Sequence, residues 1–323
     1  MIRIGIVGLG YLGRIHLQVL QGLSAAFQLV GVHDRHPEKA KEIQQIYPTI
    51  AVFDDYDNLL DAIDAIGIIA STPSHYELAN LALRKGKAVF IEKPMCATLQ
   101  EATNLLGVQI ETNGFVQVGH VERFNPAWLQ ASKLLQQQAI RTFQASRCAP
   151  FQSRGTDVSV VFDLMIHDLD ILLSLHNSAI KSMVVEARSE QSSFADSVEV
   201  QLTYEDGCVA TLAASRIAAD KQRSLAIQTA ALSLDIDLLQ QQVQVQRSAH
   251  AAFEQIAVLP GNALQSQWQD FANCLQSGFS PKVGAVQGLS ALELAERIEL
   301  LAQVQLQQKS NHSIQYRCVS FVP

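Results

Sequence analysis

No stretch of 18 uncharged apolar residues occurs in the chain, so no segment reads as a membrane-spanning helix. Nor is there a run rich in lysine and arginine. With 24 basic against 31 acidic side chains the formal charge is −7, and a nucleic-acid surface is not expected. Cysteine is sparse: the five, at 96, 148, 208, 274 and 318, are odd in number and show no C-x-x-C spacing. That argues against a disulfide framework or a zinc site and for reduced thiols in a cytoplasmic protein. The opening residues, MIRIGIVGLGYLG, lack a basic stretch followed by a long apolar one, so no cleaved leader is expected. There is no internal repeat, and the glutamine clusters at 136–138 and 240–242 are too short to form low-complexity regions.

What is present is the composition of a globular protein, 48% hydrophobic and 17% charged, in a chain of 323 residues. That length exceeds what one core usually organises, so two domains are expected. The two parts have different rhythms. Up to about residue 120, short apolar runs (RIGIVG, QLVGVHD, AIGIIAS, KAVFIEKP, GFVQVGH) alternate with helical stretches such as 74–85 and 98–112. Strands alternating with helices imply a parallel sheet covered on both faces. Beyond that point, SVEVQLTYEDGCVATLAAS (197–215) reads as two antiparallel strands around a Gly turn, and RSLAIQTAALSLDID (223–237) as more strand. The expected fold is α/β: a doubly wound parallel sheet over residues 1–120, then an α+β domain with an open, mostly antiparallel sheet over 121–323. Helices near 264–277 and 286–306 are expected to pack on that second sheet.

Gly8-Leu9-Gly10-Tyr11-Leu12-Gly13 is a G-x-G-x-x-G between a strand and a helix, and Asp34 closes the second strand 21 residues after Gly13. Glycines at these positions allow a tight turn, close approach of the backbone to a pyrophosphate, and helix–strand packing. The helix N-terminus offers N–H groups to the phosphates. A carboxylate at Asp34 would hold a ribose diol and repel a 2′-phosphate, which favours NAD over NADP, while the adjacent Arg35 could pair with such a phosphate. The alternative is a nucleotide-free fold that uses glycine for turns only. At the end of the fourth strand, Ser71, Thr72 and Pro73 would line the cofactor. His75 either contacts a ligand or, as is commoner, is a surface histidine at a helix start. Glu92-Lys93-Pro94 ends the fifth strand, and the residue before a proline is held extended. Glu92 and Lys93 therefore belong to the same cofactor edge, and Lys93 can serve as an acid/base or as a fixed donor to a substrate oxygen. A surface lysine is the alternative. After the sixth strand come His120, Glu122, Arg123 and Asn125, candidates for substrate contacts. Arg123 could pair with a diphosphate or hydrogen-bond a sugar, or simply pair with Glu122 at the surface.

VFDLMIHDLDILL (161–173) raises a separate question, because an apolar helix there carries four ionisable groups. On an α-helix Asp163, His167 and Asp170 fall at i, i+4 and i+7, one polar stripe that Ser174 extends. An Asp one turn before a His suits a base held by an orienting carboxylate. Structural ion pairing is the alternative, and Asp168 points elsewhere with no assigned role. A metal held by Asp163, His167 and Asp170 lacks further His or Cys at ligand spacing, and in VHDRH (32–36) Asp34 already has a ribose to hold, so no metal is expected.

G-x-G-x-x-G after strand one, TP after strand four, EKP after strand five and D-x-x-x-H-x-x-D on a later helix together resemble the glucose–fructose oxidoreductase/inositol dehydrogenase/MocA family over essentially the whole chain. The resemblance implies a Rossmann domain plus an open-sheet domain. It also implies NAD(P)-linked oxidation of a small-molecule hydroxyl, with catalytic roles on Lys93, Asp163 and His167, and a homo-oligomer, dimer or tetramer, paired through the second sheet. Many relatives have Gly-rich residues before the helix and D-x-G-x-H on it; here VSVVFDLMIH stands instead. With GHVERFNPA and ASRIAADKQRSLAI, that variant resembles the branch acting on nucleotide-linked sugars. The branch implies oxidation of UDP-N-acetylglucosamine at its 3-hydroxyl, giving a ketone for an aminotransferase in lipid A or surface-glycan synthesis. A free sugar, a cyclitol or another nucleotide sugar is the rival substrate. A dinucleotide sensor without turnover is the rival of another class, and it would not need Lys93 with Asp163 and His167.

Overall fold

In the computed structural model, which describes residues 1–152 and 158–318, the Gly-punctuated apolar runs of the first half become strands of one sheet. They are β1 (Ile2–Val7), β2 (Phe27–His33), β3 (Ala51–Val52), β4 (Ala65–Ile68), β5 (Ala88–Ile91) and β6 (Val116–Val118). Their order is β3-β2-β1-β4-β5-β6, and every pairing is parallel. Helices α1 (Tyr11–Gly22), α2 (Pro37–Ile46), α3 (Tyr56–Asp61), α4 (His75–Arg84) and α5 (Leu99–Thr112) make the crossovers. β4 is buried at all four positions and β6 at all three, as strands covered on both faces must be. The order reverses between β1 and β4. Such a switch point opens a crevice at the carboxyl ends of the strands, where ligands of open α/β sheets bind.

The chain forms two compact units, and they are not contiguous in sequence: Met1–Phe124 with Gly261–Ser290, and Asn125–Pro260 with the chain from Ala291 onward. Helices α6 (Pro126–Leu134) and α7 (Ile166–Leu175) and strands β7 (Ile140–Cys148), β8 (Ile180–Arg188), β9 (Ser197–Tyr204), β10 (Val209–Ser215), β11 (Gln222–Thr229), β12 (Ser233–Asp237), β13 (Gln242–Gln246) and β14 (Glu254–Ile256) belong to the second unit. α8 (Ala263–Ser277) returns to the first unit, and α9 (Ala285–Cys318) is the last helix. This corrects the expectation for 264–277: α8 completes the Rossmann core, not the second sheet. Trp268 and Phe271 are fully buried there with Phe27 and Phe90. Each such burial contributes on the order of 2–3 kcal/mol, and the four aromatic rings pack with Trp268 stacked on Phe90 at 4.1 Å between centroids.

In the second unit the sheet order is β14-β13-β12-β11-β7-β10-β9-β8, antiparallel except for the β7–β10 pair. The hairpin expected over 197–215 is β9–β10, with Gly207 at φ +88° in its turn, and 223–237 divides into the hairpin β11–β12. Burial alternates along β9, β10 and β13. The inner residues meet α7 and, from Ala291, Leu294, Ala295 and Ile298, the inner face of α9. Among the described residues no helix is long and apolar enough to cross a membrane, and Cys96, Cys148, Cys208 and Cys274 are free thiols.

Candidate active site

The first unit carries a cavity of about 410 Å³ at its switch point. Gly8, Gly10, Tyr11, Leu12, Asp34, Arg35 and Ser71 line it, as the sequence led one to expect, together with His33, His36, Lys39, Ile69, Ala70 and Ser74. The glycine loop is shaped by contacts only glycine permits. Gly8 has φ +93°, and a Cβ there would stand 2.5 Å from the Ala70 amide nitrogen; a Cβ at Gly13 would stand 2.0 Å from the Gly8 carbonyl oxygen. A Cβ at Gly10, by contrast, would meet nothing within 4 Å, so the backbone there faces open space. That space lies at the first turn of α1, which has no acidic side chain and no side-chain cap. A diphosphate fits it by charge and by shape.

Asp34 also braces the fold. Its carboxylate accepts the Leu9 N–H at 2.7 Å and the His36 N–H at 2.9 Å, so it ties the end of β2 to the glycine loop. A carboxylate has about four acceptor sites, which leaves capacity for a diol. Arg35 turns its Nε toward His36 Nε2 at 3.2 Å, and His33 Nδ1 lies 2.9 Å from the Phe53 carbonyl oxygen. Among the described residues no group of three His, Cys, Asp or Glu side chains is placed to hold a metal ion.

Thr72 and Pro73 form a single 3-10 turn, Thr72–Ser74, ahead of α4. His75 is not on the surface. It is 1% exposed, with Nδ1 3.0 Å from the Pro94 carbonyl oxygen and Nε2 3.1 Å from that of Ala70. Burial lowers its pKa against the smaller opposing pull of those carbonyls, and a neutral ring has one N–H for the two acceptors. Glu92 is buried and Lys93 half-buried at the carboxyl end of β5, where the Lys93–Pro94 peptide is cis. His120 and Glu122 are buried, and Arg123 is half-exposed in the 3-10 turn Val121–Phe124. Lys282 lies 5.0 Å from the ring centre of Phe124 in that turn. Asn125, expected to touch substrate, is built into the fold instead. Its Oδ1 accepts the Ala127 N–H and caps α6, and its Nδ2 donates to the Leu238 carbonyl oxygen.

In the second unit the ionisable stretch 161–173 is not one α-helix. Val161–Met165 forms a π-helical turn that runs into α7. The wider turn adds a residue to the ring, and such turns recur at functional sites. It breaks the simple i, i+4, i+7 stripe: Asp163 and His167 are half-buried, Asp170 is buried at 2% exposure, and Ser174 is exposed with its hydroxyl on the Ile171 carbonyl oxygen. Asp168 proves to be half of a two-pronged ion pair. Arg147 at the end of β7 donates Nε to Asp168 Oδ2 at 2.9 Å and Nη2 to Oδ1 at 2.7 Å, both side chains buried. Nearby, buried Asp196 accepts the amides of Glu190, Gln191 and Ser192. Neither Arg147 nor His16, described below, was a candidate from sequence. No spacing rule links Arg147 to Asp168, whereas His16 at least shows as a polar residue on the buried face of α1.

A parallel sheet with this switch point and this glycine loop defines a dinucleotide-binding oxidoreductase fold. The family model for the NAD-binding Rossmann fold of the Gfo/Idh/MocA oxidoreductases matches residues 2–120, and the GFO/IDH/MocA C-terminal domain matches 134–234. The chain is 30% identical to UDP-N-acetylglucosamine 3-dehydrogenase of Acidithiobacillus ferrooxidans, across 94% of this chain and 98% of that one. A crystal form of that enzyme superposes with a TM-score of 0.89, covering 94% of this chain and 99% of that one. It is also 27% identical to the NAD-dependent scyllo-inositol 2-dehydrogenase of Bacillus subtilis over 91% of this chain and 92% of that one. Levoglucosan dehydrogenase, solved with NADH and L-sorbose, shares the fold at 17% identity and a TM-score of 0.83, over 94% and 97% of the two chains. This protein belongs to the Gfo/Idh/MocA family and is an NAD-binding oxidoreductase that acts on CH–OH groups of a small-molecule substrate.

Proposed function

We propose that the protein oxidises a hydroxyl of a nucleotide-linked sugar to a ketone, with the 3-hydroxyl of UDP-N-acetylglucosamine as its substrate position. The observation that carries this reading is the 30% identity, spread over both units, with an enzyme of that name. Gly8, Gly10, Gly13, Tyr11, Leu12, Asp34 and Ser71 hold NAD, with the first turn of α1 on its diphosphate. Bound there, NAD supplies a hydride acceptor. Lys93 and His167 are the catalytic residues: they hold the substrate hydroxyl, and one of them takes its proton. Asp163 orients the imidazole. Arg123 and Glu122 contact the sugar nucleotide from the turn after β6, and His120 and Asp170 complete the polar surroundings. The unit of Met1–Phe124 with Gly261–Ser290 takes the cofactor task and the unit built on Asn125–Pro260 the substrate task, so the expected division at residue 120 shifts to include α8 in the first. The protein is proposed to be a cytoplasmic homo-oligomer; the free thiols of Cys96, Cys148, Cys208 and Cys274 suit a reducing compartment. The polar outer face of the second sheet, lined by residues such as Gln144, Thr211, Gln222 and Gln244, is the surface through which copies pair.

A cyclitol is the second reading, supported by the scyllo-inositol relative that spans 91% of the chain. The deciding experiment incubates the protein and NAD with UDP-N-acetylglucosamine, other nucleotide sugars, free sugars and inositols, and follows absorbance of the reduced nicotinamide. UDP-N-acetylglucosamine is expected to give the highest kcat/KM, with a 3-keto product by mass and NMR. Faster turnover of an inositol would replace the first reading by the second, and no turnover of any alcohol would return the protein to the sensor class.

A further inference from the structure

Beneath the cofactor edge of the first unit runs a line of buried polar side chains that the proposed reaction does not use. Trp268 on α8 donates its indole N–H to His16 Nδ1 at 3.1 Å. Nδ1 is thereby an acceptor, which puts the proton of the neutral ring on Nε2. Nε2 lies 3.1 Å from Glu92 Oε1, and Glu92 Oε2 accepts the backbone N–H of Lys93 at 3.0 Å. Trp268 and His16 are 0% exposed and Glu92 is 6%. Burial by itself raises the Glu92 carboxyl, but the hydrogen bond from the neutral His16 ring, with the amide and charge of Lys93, outweighs it and holds the group below its ordinary value. The carboxylate lies against Gly119, where an added Cβ would stand 2.7 Å from its Cδ. Phe90 stacks on Trp268 and fixes the far end of the line.

From the other side His75 reaches the same turn. Its Nδ1 lies 3.0 Å from the Pro94 carbonyl oxygen, and its Nε2 faces Ala70, which lines the cofactor cavity. The Lys93–Pro94 backbone is thus gripped at its N–H by Glu92 and at its far carbonyl by His75. A buried carboxylate and two buried imidazoles cost desolvation that apolar side chains of the same size would not. A strand end could be braced without them. What this arrangement adds is direction, because the line from Trp268 through His16 ends, at Glu92, on the Lys93 N–H, while His75 bridges the Pro94 carbonyl and Ala70 on the wall of the cofactor cavity.

We infer that Trp268, His16, Glu92 and His75 are positioning residues for Lys93, setting where its ammonium stands at the sheet edge. The inference rests on the reading that places Lys93 at the reaction centre. Reacting groups held in register lose about 100-fold in rate when displaced by about 1 Å, so a line of this kind should act on turnover and leave cofactor affinity alone.

Three variants of the full chain with NAD test this. Trp268→Phe keeps the ring and removes the N–H, His16→Leu removes both nitrogens, and His16→Gln restores one acceptor and one donor. NAD affinity is measured by titration. Acetylation of Lys93 by an N-hydroxysuccinimide ester is followed by mass spectrometry, with Lys133 as the internal reference, and turnover is measured with UDP-N-acetylglucosamine. Expected are NAD affinities within about threefold of wild type, a change of at least about fivefold in Lys93 acetylation relative to Lys133, and kcat lower by about 10- to 100-fold at nearly constant KM. His16→Gln should recover most of both. If Lys93 acetylation and kcat stay at wild-type levels in folded Trp268→Phe and His16→Leu, or if the losses in all three variants merely follow their melting temperatures, the positioning role is overturned. If wild type does not turn over UDP-N-acetylglucosamine, the substrate reading fails while the acetylation ratios still decide this one. Should His16→Leu not fold, Trp268→Phe carries the test.

Discussion

Each unit buries a carboxylate on a basic side chain, and the two contacts are built differently. In the second unit Arg147 and Asp168 meet head on, two parallel N–H···O bonds between full charges, and lock the start of α7 to the end of β7. In the first, His16 and Glu92 share a single 3.1 Å contact, and both continue outward, His16 to Trp268 and Glu92 to the Lys93 amide. The fork-on-fork pair joins two full charges directly and fixes one helix. The histidine line is open-ended and transmits position from a helix core to a strand end. Burying a charge is costly in both places, but the second arrangement spends that cost next to the residue proposed to handle the substrate proton.

The largest expected effect sharpens that contrast at the reaction itself. Lys93→Met and His167→Asn should each cut kcat by about 10²–10⁴ while leaving melting temperature and NAD binding near wild type. The double variant should lose much less than the product of the single losses. Steady-state kinetics beside a melting curve check this, and undiminished rates per folded molecule would remove the pair from catalysis. Next comes the fork-on-fork pair. Asp168→Leu takes the carboxylate away from the buried Arg147 guanidinium and should cost about 3–5 kcal/mol in denaturant unfolding, whereas Arg147→Met together with Asp168→Leu should recover most of that loss. Equal losses in the single and double variants would mean that the helix is registered by something else.

Smaller effects are expected at the cofactor. Asp34→Ala removes the acceptor of the Leu9 and His36 amides as well as the ribose contact, so NAD should bind about 10- to 100-fold more weakly. NADP should lose less, because a repelling charge goes too; titration of both cofactors tests the ratio. A wild-type preference for NADP would instead give the ribose pocket to Arg35. The smallest effect is a pH dependence. The folded-state pKa of Glu92 lies below its unfolded value, so the group contributes stability above the ordinary carboxylate range, and that contribution drains as pH falls through the folded value. Wild type should therefore exceed Glu92→Gln in stability at pH 7 by more than at pH 3 in thermal scans, and a gap that widens in acid would contradict the sign.

Much of the first unit was legible in the chain. The G-x-G-x-x-G and Asp34 announced a nucleotide turn because phosphate approach tolerates no side chain there, and Gly8 and Gly13 do press against Ala70 and the Gly8 carbonyl. The second unit was harder. Strand periodicity marked 197–215 and 223–237, but VFDLMIHDLDILL read as one α-helix hid a π turn, since periodicity assumes the pitch it is meant to find. His75 looked like a surface histidine because a helix start usually is one.

What the sequence alone determined are the features whose cause is local: the glycine turn, the alternation of the hairpins, and through ordered motifs the family. What only tertiary structure decided are the features whose cause lies far along the chain. α8 left its sequence neighbours for the Rossmann core, where Trp268 could be buried against Phe90 and His16. Asp168 found Arg147, 21 residues away, and His16 found Trp268, 252 residues away. Local rules carry no term for such pairs, because buried polar groups are satisfied by whatever partner the folded core brings within about 3 Å.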